Sequence, residues 1–250
     1  LLYYDIFNLT SKSSQLLHHL LLNPNLNLEI MKLLNYIAAL AKGRSYLLSK
    51  ISIIDDIVNV MKAESTDSEL RQNCLGTIQK FTLRSAPQNR LIELNVIQYI
   101  VDVFTYENST LSDYTIEYGL ALIMNLSLKK SGREKFEQVA DKIFPILLNF
   151  INKDNIQIHT CINGTLYSLL KKNKFKKEAK KFDLQKVLTS VHSDNPVLQK
   201  QISYILEEMN KVDLPSKYKF TFSGKFNSSD EILEGIELIE NICNFLFVVV

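Results

Sequence analysis

A helical pattern of apolar residues recurs along this chain once in about forty positions. Five trios with the spacing i−4, i and i+3 carry it: Leu33/Ile37/Leu40, Cys74/Ile78/Phe81, Gly119/Ile123/Leu126, Ile162/Leu166/Leu169 and Ile202/Leu206/Met209. That spacing puts each trio on one face of a helix. The central residues of successive trios are 41, 45, 43 and 40 positions apart, a period typical of stacked helical repeats. The pattern therefore predicts an all-α solenoid of about five repeats.

A second apolar helix precedes each trio, so we predict that the unit contains a helical hairpin. Its aligned pairs are Leu17/Leu20, Ile54/Ile57, Ile97/Ile100, Ile143/Ile146 and Leu184/Val187. Ahead of three hairpins lie related segments that predict a short additional helix: G-R-S-Y-L from Gly43, Q-N-R-L-I from Gln88 and G-R-E-K-F from Gly132. Three helices in each unit favour a right-handed armadillo-type solenoid over HEAT repeats, which have two.

The predicted solenoid covers residues 1–212, with repeats at roughly 1–42, 43–86, 87–131, 132–172 and 173–212. Thr66 and Glu69 have the spacing of a capping box, and Asp113 is placed to cap a helix or to favour its start by charge. Beyond Val212 the period breaks. The segment 213–250 is predicted to be a C-terminal extension, extended around Tyr218 to Phe222 and then an amphipathic helix that begins near Ser228.

Composition argues against several classes of function. The formal charge of +2, from 29 basic and 27 acidic residues, is far from that of a protein that wraps nucleic acid over its whole face. The three cysteines lie far apart in sequence, as is typical of reduced thiols rather than of a disulfide framework or a zinc site. The longest apolar stretch is well short of the roughly 20 residues that span a bilayer. Because the chain begins at Leu1 without an initiator Met, we expect it to be part of a longer protein.

Catalysis is also disfavoured by the sequence. The four histidines, His18, His19, His159 and His192, show neither triad nor metal-ligand spacing. The seven glycines are scattered and form no loop that could cradle a phosphate. We therefore predict a non-enzymatic protein that has no cofactor, no metal and no small-molecule substrate.

The most conspicuous polar feature is the segment 171–181, KKNKFKKEAKK. It contains seven lysines and one glutamate: Lys171, Lys172, Lys174, Lys176, Lys177, Lys180 and Lys181 with Glu178. We call these seven residues the lysine cluster. It is either solvated surface charge or a docking site for an acidic surface such as a tubulin tail, a phosphoprotein or nucleic acid. Nucleic acid is the least favoured of these partners, because only Phe175 and Phe182 are available for base stacking.

Armadillo proteins that capture extended peptides use a ladder of Trp and Asn on their third helices. The corresponding pairs here are Asn35/Ala39, Gly76/Lys80, Ala121/Asn125, Gly164/Ser168 and Tyr204/Glu208, and the chain contains no tryptophan. Only Asn125 keeps the asparagine, so cargo binding of the nuclear-import type is disfavoured. The small or polar ladder residues indicate either a shallow groove for a partner helix or close packing between repeats. The candidate contact residues on this face are Lys80, Asn125, Tyr204 and Glu208.

Four segments in order along the first four repeats carry a family resemblance: LAKGRSYL from Leu40, CLGTIQKFTLR from Cys74, SDYTIEYGLALIMNLSLKKSG from Ser112 and NGTLYSLL from Asn163. They resemble the armadillo region of the family of armadillo-repeat-containing protein nine. A weaker similarity follows in KKEAKK and QISYILEEMN and ends at the Leu-Pro of Leu214. The resemblance implies a ciliary scaffold in which a LisH motif and a coiled coil precede the armadillo array, and it transfers no catalytic residue to this chain.

That resemblance further implies a location at the basal body, axoneme or ciliary tip and partners among microtubule-associated proteins of the TOG-array type, with tubulin as a further candidate. The first hypothesis is thus a non-enzymatic scaffold of the cilium. The alternative is a soluble armadillo adaptor that carries peptide cargo.

Overall fold

The structure is a computed structural model, and it describes residues 5–11, 15–191 and 195–211. Within these ranges the regular secondary structure is helical, with fourteen α-helices and two short 3₁₀ turns. The α-helices are α1 Leu16–Leu22, α2 Asn27–Ala39, α3 Ala41–Leu47, α4 Ile53–Ala63, α5 Glu69–Phe81, α6 Ser85–Glu93, α7 Val96–Tyr106, α8 Asp113–Ser127, α9 Lys130–Phe136, α10 Ala140–Asn149, α11 Ile156–Leu169, α12 Asn173–Lys181, α13 Leu184–Ser190 and α14 Pro196–Asn210. The predicted C-terminal extension at 213–250 lies outside the described residues.

After the hairpin α1–α2, the described helices follow one another in groups of three. Each group consists of a short first helix, a second helix and a long third helix, and the third helices are α5, α8, α11 and α14. The helix α2, which ends the α1–α2 hairpin, occupies the third-helix position of the first repeat. Apolar side chains of the second and third helices form the interior, for example Ile57 on α4 with Ile78 on α5, and Ile143 on α10 with Leu166 on α11. An apolar face that no single hairpin can bury is thus covered within a stack.

The short first helices begin two residues before three of the predicted repeat boundaries, because their initial turns precede the motifs used to place those boundaries. The helix α3 begins at Ala41 rather than at Gly43. Gly43 lies against the carboxyl end of α2, where a Cβ would come within 2.0 Å of the Ile37 carbonyl oxygen. The following residue, Arg44, donates from Nη1 to the carbonyl oxygens of Ala38 and Ala39 at 2.9 and 3.0 Å.

The fourth residue of the short first helix, which is Arg44 in α3, caps the preceding helix in two further repeats as well. Gln88 Nε2 donates to the carbonyl oxygen of Thr82 at 2.8 Å, and Arg133 Nη1 donates to those of Ser127 and Leu128 at 3.2 and 2.6 Å. A helix leaves its last carbonyl groups without intrahelical partners. The short first helix therefore supplies the missing donor in each of the three repeats, from Arg44 and Arg133 of the G-R motifs and from Gln88.

The predicted apolar trios are buried in α5, α8 and α11, but in α2 and α14 the buried face is formed mainly by other residues. All three residues are buried in α5 and in α11, and in α8 the trio Gly119, Ile123 and Leu126 is buried as well. In α2, however, Leu33 and Leu40 are 42% and 57% exposed, and the buried residues are Met31, Leu34, Ile37 and Ala38. In α14 the predicted trio is half-buried, and the interior is formed by Leu198, Gln201, Ile205 and Glu208.

The predicted capping box of α5 is wrong. Ser68, not Thr66, is the N-cap, and its hydroxyl oxygen accepts from the backbone N–H of Arg71 at 3.1 Å. Asp113 does lie in the first turn of α8, where a negative charge favours the positive end of the helix dipole. The described residues divide into two compact units, one ending at Leu126 and the other beginning at Ser127, and each is described separately below.

Candidate protein-interaction surfaces

In residues 1–126, the third helices are joined by a cluster of polar side chains that we call the third-helix network: Asn35, Asn73, Lys80, Tyr114 and Tyr118. The Asn35 amide donates to Asn73 Oδ1 at 3.0 Å and to the Tyr114 hydroxyl at 3.1 Å. The ammonium of Lys80 in turn donates to Asn35 Oδ1. These contacts connect α2, α5 and α8, so three repeats contribute to one polar surface.

The aromatic part of this network sits beside the Lys80 ammonium. The rings of Tyr114 and Tyr118 stack with centroids 4.2 Å apart, and Lys80 Nζ lies 5.2 Å from the centroid of Tyr118. Burial raises the pKa of Tyr114 to about 12, and burial together with the charge of Arg44 lowers the pKa of Lys80. Gly76 makes room for this arrangement, since a Cβ there would be 2.1 Å from the Tyr114 hydroxyl.

Of the predicted ladder residues, Lys80 lies half-buried within this network, but Asn125 does not face outward. Asn125 is only 4% exposed, and its amide donates to the Thr82 hydroxyl at 2.7 Å. Ser168 in the other unit is likewise buried, and its hydroxyl donates to the Ser127 carbonyl oxygen at 2.6 Å. At both positions the ladder side chain joins parts of the same chain.

The last pair of predicted ladder residues lies on α14. Glu208 is 8% exposed and accepts from Lys211 Nζ at 2.8 Å. Tyr204 is half-buried, with the Lys200 ammonium 5.8 Å from its ring centroid. Only Tyr204 of the two presents a substantial part of its side chain at the surface.

The lysine cluster is divided by the structure into engaged and free side chains. Lys176 is buried and donates to the Lys211 carbonyl oxygen at 2.7 Å. Four other lysines also have partners within residues 127–211: Lys171 over the Tyr167 ring at 4.9 Å, Lys172 with Glu137 at 3.1 Å, Lys174 with the Glu137 carbonyl oxygen at 2.5 Å and Lys181 with Glu178 at 2.7 Å.

Lys177 and Lys180 are exposed, and neither side chain has an ion-pair partner among the described residues. They are separated by one helical turn of α12, so their charges project from the same side of that helix. Phe175, in contrast, is fully buried and packs near Phe144, with ring centroids 6.4 Å apart. The exposed part of the cluster is therefore cationic, and Phe175 is a core residue rather than a stacking surface.

A buried ion-pair network was not predicted from the sequence. The Arg71 guanidinium is 3% exposed and binds Glu107 with two hydrogen bonds, one of them 2.9 Å long. Asp67 lies 3.6 Å from the same guanidinium and accepts from the Ser112 backbone N–H and the Thr115 hydroxyl. The Arg71–Glu107 link could not be inferred from local spacing, because these two residues are 36 positions apart.

The described residues contain no cluster of His, Cys, Asp and Glu that could hold a metal ion, and none of the described helices is both long and apolar enough to cross a bilayer. His18 Nδ1 lies 2.8 Å from Asp56 Oδ1 at a cavity of about 350 Å³ near α1 and α4. Nucleophilic catalysis of the triad type would also require a Ser, Thr or Cys side chain hydrogen-bonded to the imidazole. Among the described residues, no Ser, Thr or Cys side chain is hydrogen-bonded to His18.

Residues 91–210 match the family described as LisH domain-containing protein ARMC9, ARM repeats. The chain is 34% identical over 185 residues to the human LisH domain-containing protein ARMC9 and 31% identical over 187 residues to that of Danio rerio. These matches include 74% of this chain but only 22% and 23% of the two relatives. The resemblance inferred from the sequence is confirmed for the armadillo region.

The fold is similar to that of designed armadillo repeat proteins. One, designed for modular peptide recognition, matches with a TM-score of 0.64 at 16% identity, over 78% of this chain and 82% of that chain. Another, solved in complex with the peptide (KR)4, matches with a TM-score of 0.62 at 15% identity, over 78% of this chain and 81% of that chain. The predicted all-α armadillo solenoid is thus confirmed.

Proposed function

The armadillo region of this chain belongs to the family of the ARM repeats of LisH domain-containing protein ARMC9, and we propose that the chain acts as a non-enzymatic scaffold of the cilium. The armadillo fold and the relatives support a protein-interaction scaffold. The ciliary setting, at the basal body, axoneme or ciliary tip, is our extension from the family resemblance. The match over residues 91–210 is the observation that carries the proposal.

The proposed partners are microtubule-associated proteins of the TOG-array type and tubulin itself. Tubulin tails are acidic, and the exposed ammonium groups of Lys177 and Lys180 provide opposite charge on α12. Exposed charges attract an oppositely charged surface over about 10 Å at 0.1 M ionic strength, and added salt shortens that range. Binding through these lysines should therefore weaken as salt is added.

Imaging tests the location. The chain fused to a fluorescent protein and expressed in ciliated cells should concentrate at centrioles, basal bodies or cilia, next to a marker of acetylated tubulin. A diffuse cytosolic or nuclear signal without enrichment at these structures would contradict the proposal.

Affinity capture tests the surface. The immobilised chain should retain tubulin or microtubule-associated proteins from isolated cilia, and Lys177→Glu with Lys180→Glu should reduce that retention. A matched control changes two exposed lysines on other helices by the same charge, Lys130→Glu with Lys186→Glu. Equal retention by all three proteins would remove the lysine cluster from the proposal, and capture of no cytoskeletal protein by the intact chain would count against the proposed partners.

The second candidate function is a soluble adaptor that carries peptide cargo. It is favoured by the similarity of the fold to an armadillo protein solved with a bound peptide. It is disfavoured by the position of Asn125, whose amide is already bonded to Thr82. Screening the chain against libraries of basic and of hydrophobic peptides separates the two functions, since a cargo adaptor should select a peptide from these libraries and the proposed scaffold should not.

A further inference from the structure

Three cationic side chains meet where the third helices α2 and α5 end, and we call them the cationic end: Arg44, Lys80 and Arg84. Arg44 donates to the carbonyl oxygens of Ala38 and Ala39 at the end of α2. Lys80 donates to the side chain of Asn35, which lies one turn earlier on α2. Arg84 Nη2 donates at 2.6 Å to the hydroxyl of Ser45, which follows Arg44 in sequence. The three charges thus converge on the last turns of α2 and the middle of α3.

None of the three has a carboxylate partner among the described residues, and all their hydrogen bonds go to neutral oxygens. The sequence explains this surplus, because no acidic residue occurs in 30–54 or in 70–92. Arg71 and Arg90, which also lie in the second range, are paired with Glu107 and Asp55 and so do not add to this surplus. Burial and the charge of Arg84 lower the pKa of Arg44, as expected for like charges close together.

Each of these three side chains also has N–H donors that are not used in hydrogen bonds among the described residues. An ammonium has three N–H donors and a guanidinium has five. Lys80 donates one hydrogen bond within the chain, Arg84 donates one, and both bonds of Arg44 come from Nη1. Arg84 is exposed and Arg44 and Lys80 are half-buried, so the unused donors can reach a ligand at the surface.

We propose that an acidic peptide segment, with Asp or Glu side chains at short intervals, docks along the third-helix network and places carboxylates on Arg44, Lys80 and Arg84. This inference deepens the proposed function and rests on it, since it names the chemistry of a partner held by the scaffold. Guanidinium groups form paired hydrogen bonds with carboxylates, and the stacked Tyr114 and Tyr118 offer a flat surface beside them.

An extended peptide fits this surface better than a compact anion does. The polar side chains that lead to the cationic end come from three successive third helices, α2, α5 and α8, and so form a line rather than a single pocket. A ligand that follows this line needs a backbone of several residues with charges at one end. A lone phosphate or sulfate would contact only the cationic end.

The test measures binding of a short fluorescent peptide that alternates Glu and Ser, by anisotropy, to the purified chain at physiological salt. We expect the intact chain to bind it and to bind a matched Lys/Ser peptide far more weakly. Lys80→Gln with Arg84→Gln should weaken binding roughly tenfold or more, since truncating charged contacts at an interface removes affinity. Lys130→Gln with Lys186→Gln removes the same charge from two exposed positions on other helices and should change affinity less than about twofold.

Circular dichroism checks that the variants are folded, and Arg84→Gln alone, at an exposed position, replaces the double variant if that one unfolds. Absence of binding by the intact chain, equal losses in the two double variants, or tighter binding of an RNA oligonucleotide through the same residues would each overturn the proposal. Failure here is distinct from failure of the ciliary proposal, because imaging decides the location whether or not this peptide binds.

Discussion

Two junctions between third helices, one in each unit, are held by different polar groups. At the α5–α8 junction, the links are charged: Arg71 pairs with Glu107, and Asp67 binds Ser112 and Thr115. At the α11–α14 junction, the corresponding link is neutral, with the Asn163 amide donating to Gln201 Oε1 at 2.9 Å. The apolar period is common to both, so it determines where helices stack and leaves the polar links free to differ.

The difference has an energetic consequence. A buried charge is costly unless its partners are complete, and removing one partner exposes that cost. A buried neutral pair can be replaced by apolar side chains of similar shape with little change in stability. Substitutions of the polar links should therefore change the free energy of unfolding by different amounts at the two junctions. Substitutions of buried apolar residues should change it by similar amounts.

The largest expected effect concerns the shared apolar interior. Ile78 on α5 and Leu166 on α11 are both fully buried, and either one replaced by Ala should lower the free energy of unfolding by about 2–5 kcal/mol. Urea denaturation followed by circular dichroism measures the loss. Leu83→Ala, at a position that is 57% exposed, serves as the control and should change stability by less than about 0.5 kcal/mol. A loss in only one of the two buried positions would break the proposed equivalence of the units.

The next effect distinguishes the polar links. Glu107→Gln should cost about 2–3 kcal/mol, because it leaves Asp67 as the remaining carboxylate partner described for the buried Arg71 charge. Asn163→Leu with Gln201→Leu removes both members of the neutral pair and should change stability by no more than about 1 kcal/mol. Both are measured by urea denaturation. The reverse order would contradict the account of the two junctions.

A smaller effect is expected within the third-helix network. Alanine has a helix propensity about 1 kcal/mol better than glycine, but a Cβ on Gly76 would be 2.1 Å from the Tyr114 hydroxyl. Overpacking of this kind costs about 1–3 kcal/mol, so Gly76→Ala should be net destabilising. In a Tyr114→Phe background the hydroxyl is absent and the remaining close contacts, with the ring carbon Cζ and Asn35 Oδ1, are at 3.1 Å, so the same change should cost less. A thermodynamic cycle of the four proteins measures the coupling, and additivity would show that the two side chains do not meet.

The smallest effect is a pH dependence. Burial raises the pKa of Tyr114 to about 12 from its ordinary value of 10.0. Between these values the hydroxyl is ionised in the unfolded chain but protonated in the folded chain, so the free energy of unfolding falls as pH rises from 10 towards 12. Tyr114→Phe should flatten part of that fall in urea titrations at increasing pH. An unchanged slope would show that the Tyr114 hydroxyl is not buried in solution.

The trios of α5 and α11 could be predicted from the sequence because each helix packs against other helices of its own unit, α5 against α2 and α4, and α11 against α14. In α5 and α11 the i−4, i, i+3 trio is therefore the buried face. In α2, by contrast, no described helix precedes the α1–α2 hairpin, and Leu33 and Leu40 remain exposed although they fit the same pattern. Periodicity identifies a helix and its apolar residues, but the coverage of each face depends on what packs against it.

The polar contacts could not be predicted, because they depend on partners far away in sequence. Lys176 looked like the other lysines of its cluster, yet it is buried and bonded to the carbonyl oxygen of Lys211. Asn125 has the residue type of a peptide clamp, yet its partner is Thr82, 43 positions away. Residue type and local spacing therefore identify candidate binding residues. Which of them are bonded within the fold, and which remain accessible to a partner, depends on how the repeats pack.

Cysteine labelling tests the central claim, that stacked repeats share one kind of apolar interior and couple to their neighbours. Cys74 and Cys161 are buried thiols at the sixth position of α5 and α11, one in each unit. In a Cys243→Ser background, a thiol reagent followed by peptide mass spectrometry gives the opening rate at each site. We predict that Ile78→Ala accelerates labelling of Cys74 much more than that of Cys161, because a solenoid frays near the lesion first. Equal acceleration at both thiols, or rapid labelling of both in the unmutated chain, would contradict the account.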